Sequence, residues 1–177
     1  MNTHLSRTRL RVAGGVVTLA AVAVLGATAS AQAAGETAAV CASTISLTIT
    51  PGFSPKPGSG TLTSHGKTGS LICTGALRGH QITGPGSVGL DEVYSGADCL
   101  GHVGTGTATV TLPTTGGVIH MSGAATSHRT ALAVVAEVDF PDASFDGVGV
   151  AIPTHGTCLL SPLRQATISL SGLLGPA

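Results

Sequence analysis

The side chains here that could do chemistry are seven histidines, eight carboxylates, four cysteines and many serines. A serine hydrolase needs a nucleophile, an imidazole and an acid in relay. His65, His80, His102, His120, His128 and His155 lie beyond the N-terminal segment, but no Gly-x-Ser-x-Gly occurs. A dispersed Ser/His/acid site is kept as an alternative. A glycosidase needs two opposed carboxylates, and Asp91 or Glu92 with Glu137 or Asp139 are the candidates. Neighbours on a strand point to opposite faces, so Asp91 and Glu92 cannot be that pair; a solvated strand face accounts for them better. No histidines are spaced i, i+2, the strand spacing that would aim two at one metal. His65, His102 and His155 each adjoin a glycine and read as surface turn residues. Asp139, Asp142 and Asp146, followed by Gly147, come nearest to a calcium-binding set, but their spacing is not that of an EF-hand. A solubilising acidic loop accounts for them better. Gly84-Pro85-Gly86-Ser87-Val88-Gly89 is formally G-x-G-x-x-G, yet a strand-like segment follows it where a dinucleotide site requires a helix N-terminus. The sequence therefore assigns no catalytic residue, no metal site and no cofactor, and an enzyme is not the favoured reading.

The cysteines need a compartment. Residues 1–11 carry Arg7, Arg9 and Arg11 and no acid; a short apolar run follows, then small residues ending in Ala31-Gln32-Ala33. This is the pattern of a secretory signal peptide, with cleavage expected near Ala33. The arginines are not adjacent, which favours the Sec route over twin-arginine export. The expected organisation is a signal peptide at 1–33 and one β domain at 34–177. The domain retains Lys56, Lys67, Arg78, Arg129 and Arg164 against eight acids, a balance that offers no footprint for nucleic acid or anionic lipid. No later stretch is long and apolar enough for a transmembrane helix.

In an exported chain an even number of cysteines argues for disulfides, so Cys41, Cys73, Cys99 and Cys158 are expected to form two. Three pairings are open. The preferred one joins Cys73 to Cys99 across neighbouring strands and Cys41 to Cys158 across the chain ends. Such support matters because aromatics are few: Phe53, Tyr94, Phe140 and Phe145.

The elements follow from alternation. Between Asp98 and Leu112, Gly104, Gly106, Ala108, Val110 and Leu112 fall on one side, and Thr105, Thr107, Thr109 and Thr111 on the other. This is a strand with one packed and one wet face. The same grammar marks strands at 44–50, 60–64, 68–77, 79–83, 87–94, 118–126, 132–140, 145–152 and 165–171. A hairpin across Ser127 to Thr130 is expected to join 118–126 to 132–140. Gly147 and Gly149 call for a bulge or a close backbone approach. No window shows a helical repeat beyond the N-terminal segment. The fold class is all-β: an antiparallel β-sandwich or small β-barrel of about eight to ten short strands, stapled by two disulfides.

Asp98-Cys99-Leu100-Gly101, followed by Gly104-Thr105-Gly106-Thr107, resembles a group of Gly/Thr-rich secreted all-β proteins of actinobacteria, mostly uncharacterised. The likeness extends to Cys41, Pro51-Gly52-Phe53-Ser54, Cys73-Thr74-Gly75 and Cys158-Leu159 with Pro162. It implies export, disulfides and a β fold, and supplies no catalytic residue. The chain departs from the group at Leu112-Pro113, where an aromatic is common.

Three functions fit these features. The first is a secreted β domain acting non-enzymatically by surface contact with a protein or an envelope component. The second is a small-ligand carrier using a barrel interior, and the third a hydrolase with a dispersed site. Threonine rows can also order water or face a repetitive surface, but no coil-length repeat supports that here, and threonine suits a wet strand face. A porin-like barrel would want aromatic girdles, and sugar stacking would want tryptophan; the chain has no tryptophan and a single tyrosine.

Overall fold

A computed structural model describes residues 38–177; the expected signal peptide and its cleavage site lie outside the described residues. The alternating segments form ten strands: β1 (Ala39–Phe53), β2 (Gly58–Thr63), β3 (Gly69–Leu77), β4 (His80–Gln81), β5 (Gly86–Ala97), β6 (Gly101–Thr114), β7 (Gly117–Thr130), β8 (Ala133–Phe140), β9 (Ala143–His155) and β10 (Leu163–Gly175). Every pairing between them is antiparallel.

One pairing decides between sandwich and barrel. β1 bonds β3 and β2 along one edge and β10 along the other, from Ala39↔Leu174 to Phe53↔Leu163. Both ends of the sheet therefore meet on β1, and the ring closes. β2 and β3 share a single place between β1 and β5. The step from Thr63 to Gly69 spans six residues, while the facing step from Asp91 to Val88 spans three. The surplus forms a surface loop around His65 and Gly66, both in the left-handed region. With β2 and β3 counted as one stave, the barrel has eight staves in up-and-down order. At that number the interior is just wide enough for side chains to fill it.

The alternation sorts residues as the sequence implied. Ile45, Leu47 and Ile49 of β1 point inward, as do Ala108, Val110 and Leu112 of β6, and all six are buried. Burying each large aliphatic side chain contributes about 1.5–3 kcal/mol. The core has two clusters. One, around Leu71, Leu77, Leu112, Met121 and Phe140, lies toward the end where β6 turns into β7. The other, around Leu47, Phe53, Leu62, Tyr94 and Leu163, lies toward the opposite end. At Gly149 a Cβ would come within 1.8 Å of the Ser169 carbonyl oxygen, so β9 and β10 require glycine there. This is the close backbone approach expected at Gly147 and Gly149, and the β8–β9 register runs through it without a bulge.

Two expectations are corrected. The hairpin turn is not at Ser127 to Thr130. β7 runs to Thr130, which pairs with Ala133, and the turn is Ala131-Leu132 with Ala131 at φ 55°. No glycine or asparagine marks it, and polar residues on the inward face of β7 imitated a loop. The disulfides are Cys41–Cys73 and Cys99–Cys158, not Cys73–Cys99 and Cys41–Cys158. Because β3 runs back along β1, Cys73 stands directly opposite Cys41. Cys99 and Cys158 occupy loops at the far end of the barrel, out of reach of both.

Candidate functional site

β5, β6 and β7 lie side by side, and their register brings four inward polar side chains together. Glu92 pairs with Gly106, Gly104 with Ser127, and His102 with Arg129. Strand alternation sends Asp91 out to Thr63, with which it hydrogen-bonds, and Glu92 in. Glu92, His102, Ser127 and Arg129 are all buried. Gly104 makes the contact possible. A Cβ there would sit 2.6 Å from Glu92 Oε2 and 3.0 Å from Ser127 Oγ, in the space the carboxyl crosses.

The hydrogen bonds fix the proton positions. Arg129 Nε can only donate, and it lies 3.1 Å from His102 Nδ1, which must accept. The imidazole proton is therefore on Nε2, which faces Ser127 Oγ at 3.4 Å. Ser127 Oγ in turn donates to Glu92 Oε2 at 2.7 Å. In a hydrolase relay the imidazole accepts the serine proton and an acid steadies its other nitrogen. Here the imidazole donates to the serine, and its other nitrogen faces a cation. Burial first, then the charges of Arg129 and His128, press the His102 pKa down to about 4. Burial pushes the Glu92 carboxyl up, against the opposing hydrogen bond from Ser127. A serine, a histidine and an acid do converge, but in the wrong order for proton relay.

What the cluster does is hold the barrel end together. The Arg129 guanidinium donates to the carbonyls of Asp98 at 2.7 Å, Ala131 at 2.7 Å and Cys99 at 3.4 Å. It lies 4.8 Å from the centre of the Phe53 ring, which also stacks on His102 at 5.0 Å. Asp98 accepts the N–H groups of Leu100 and Gly101, at 2.7 and 3.0 Å, and these bonds hold its carboxyl below the usual range. The Cys99–Cys158 bridge then ties this loop to the β9–β10 loop. Ala131 N–H donates to the Leu100 carbonyl, which joins the β7–β8 turn to the same rim. On this braced rim Leu100, Leu132, Leu159 and Leu160 are all exposed, Leu160 at 92%.

The other residues singled out in the sequence disperse. Asp139 and Asp146 are exposed on β8 and β9, and Asp142 forms an ion pair with Arg78 from the β3–β4 turn. Among the described residues no three His, Cys, Asp or Glu side chains gather as a metal set would. Glu137 faces Asp146 across the outer surface, away from Glu92. Gly84 to Gly89 runs into β5, so no helix N-terminus stands behind those glycines. His65 is an exposed turn residue, as expected; His155 is exposed too, but as the last residue of β9. His102 is not a surface turn residue: it opens β6 on its inward face, and the alternation from Gly104 extended back two residues would have placed it. The solvated-face reading holds for Asp91 and fails for Glu92. Ser127 and Arg129 were hidden by the misplaced turn.

No protein-family model, curated protein or solved structure matches this chain.

Proposed function

We propose that this chain is an extracellular binding module that acts by surface contact and makes that contact through its leucine rim. The single observation that carries this reading is the exposure of Leu100, Leu132, Leu159 and Leu160 on loops joined by a disulfide and by Arg129. Exposed leucines on a rim already fixed in place can dock without ordering the loops at the moment of binding, which is a main cost of association. The two disulfides support an oxidising compartment, and no helix among the described residues is long and apolar enough to cross a membrane. The signal peptide at 1–33 and kinship with the exported Gly/Thr-rich proteins of actinobacteria belong to the same proposal. Both rest on sequence pattern.

The test is retention of the oxidised protein on two immobilised materials from the producing cells: envelope fragments and secreted proteins. The reading expects retention on one of them, lowered about tenfold or more when Leu159 and Leu160 become Asp, since buried anchors dominate such contacts. Equal retention of the parent and the double variant would contradict it.

A further inference from the structure

We propose that the centre of the barrel is a binding site for a small apolar molecule carrying one hydrogen-bonding head. A cavity of about 60 Å³ lies there, with walls from all eight staves. It exists because small residues meet at that level: Ala108 on β6, Ala125 on β7 and Ala136 on β8. Val88, Leu90, Val110, Val138 and Phe140 supply apolar walls, and Glu92 is the one ionisable group among them.

Glu92 gives the cavity a direction. Its side chain is sealed in the barrel, the residue being 3% exposed. Oε2 is engaged by Ser127, while Oε1 takes no hydrogen bond from the described residues. No fully enclosed polar side-chain atom among them lacks a partner, so Oε1 keeps some accessible surface, and Glu92 lines the chamber. A buried carboxyl oxygen facing an apolar chamber recognises a donor head attached to an apolar body. A wholly apolar cavity stays dry and takes apolar guests, and about 150 Å³ suffices for benzene. On that scale a chamber of about 60 Å³ suits a guest of about two to three non-hydrogen atoms, the size of a two-carbon alcohol. This inference is independent of the leucine rim.

Methyl-resolved NMR of the oxidised protein tests it, with ethanol and xenon as separate probes. Saturable shifts are expected at the Val88, Leu90, Val110 and Val138 methyls, in the ~millimolar range that so few contact atoms allow. Ala125→Leu, which fills the chamber, should abolish both responses; Ala136→Leu serves if that variant does not fold. Glu92→Leu should weaken ethanol about tenfold and leave xenon bound. If Glu92→Leu does not fold, the parent must bind ethanol about tenfold tighter than chloroethane, each referred to its own transfer from water. Non-saturating shifts, shifts spread over the outward Val93, Val103 and Val148, or responses that survive Ala125→Leu would overturn the proposal. Equal loss of both probes in a folded Glu92→Leu variant would also overturn it.

Discussion

At one end of the barrel the β3–β4 hairpin folds over the mouth; at the other, two loops are bolted together and lined with leucines. The first end closes with ordinary backbone chemistry. Arg78 and Gly79 turn the hairpin with positive φ, Thr115 N–H donates to the Gln81 carbonyl at 2.8 Å, and Thr83 N–H donates to that of Pro113 at 3.0 Å. Its one ion pair, Arg78–Asp142, is exposed, and beneath it Leu77 and Leu112 are buried. The second end has a buried guanidinium, a neutral imidazole and a disulfide between loops. The first end is a plug of apolar side chains under a polar cover. The second buries polar groups beside its apolar cluster of Leu47, Phe53 and Leu163, and carries exposed leucines on its loops. Leucines left exposed on a braced rim are what a folded chain shows where it reserves a surface for something other than its own core.

Each end has one disulfide, and breaking them separately is the coarsest way to test the difference. Chain-entropy arithmetic assigns about 4 kcal/mol to each bridge, for sequence separations of 32 and 59. Replacing Cys41 and Cys73 by Ala should cost more than that, because both sulfurs lie in the core. Replacing Cys99 and Cys158 should cost about 4 kcal/mol and abolish retention through the rim, where the first pair should leave retention intact. Denaturant titration and the retention assay read the two effects.

Next in size is the network itself. Gly104→Ala puts a methyl where Glu92 reaches Ser127, and an expected loss of about 2–3 kcal/mol reflects that displacement and a carboxyl left without its bond. Glycine-to-alanine at Gly58, the exposed first residue of β2, where nothing lies within 4 Å, should cost far less.

Acid should then loosen the leucine end selectively. An unfolded histidine titrates near 6.5, and folded His102 titrates at about 4. Between those values the unfolded chain binds the extra proton, so stability rises with pH. The contribution from His102 is complete above about pH 6.5, declines as the pH falls and is gone below about 4, a change of the order of 3 kcal/mol. Glu92 works the other way. Its raised pKa gives a contribution that is full below the ordinary carboxylate value and lost as pH rises through the folded one. Melting curves of His102→Gln should lose the rise, and those of Glu92→Gln should lose the fall. The smallest effect is at the hairpin end: Arg78→Ala should shift stability by about 0–1 kcal/mol, because both partners of its ion pair are exposed.

The two ends also differ in how far the sequence revealed them. The barrel wall was legible because apolar and polar residues alternate cleanly, as in Ile45, Leu47 and Ile49, and period two admits only one backbone. Closure was not legible, since nothing in β1 or β10 says that they pair across more than a hundred residues. The polar interior defeated pattern reading for a physical reason. Alternation is read from hydrophobicity, and Glu92, Ser127 and Arg129 occupy inward positions that hydrophobicity assigns outward. A turn at Ala131-Leu132 with neither glycine nor asparagine made matters worse. His102 alone left a trace, two residues before Gly104 in the same register. The cysteine partners were unreadable because sequence separation does not record which end of a barrel a residue reaches.

The most direct test of the account is the state of one ring. Nitrogen-detected NMR of His102 should show the Nε2–H tautomer and a midpoint near pH 4, with Ser127 donating to Glu92. A proton on Nδ1, or a midpoint near the ordinary 6.5, would mean that the ring is free to act as a base toward Ser127. The cluster would then be a relay and not a brace.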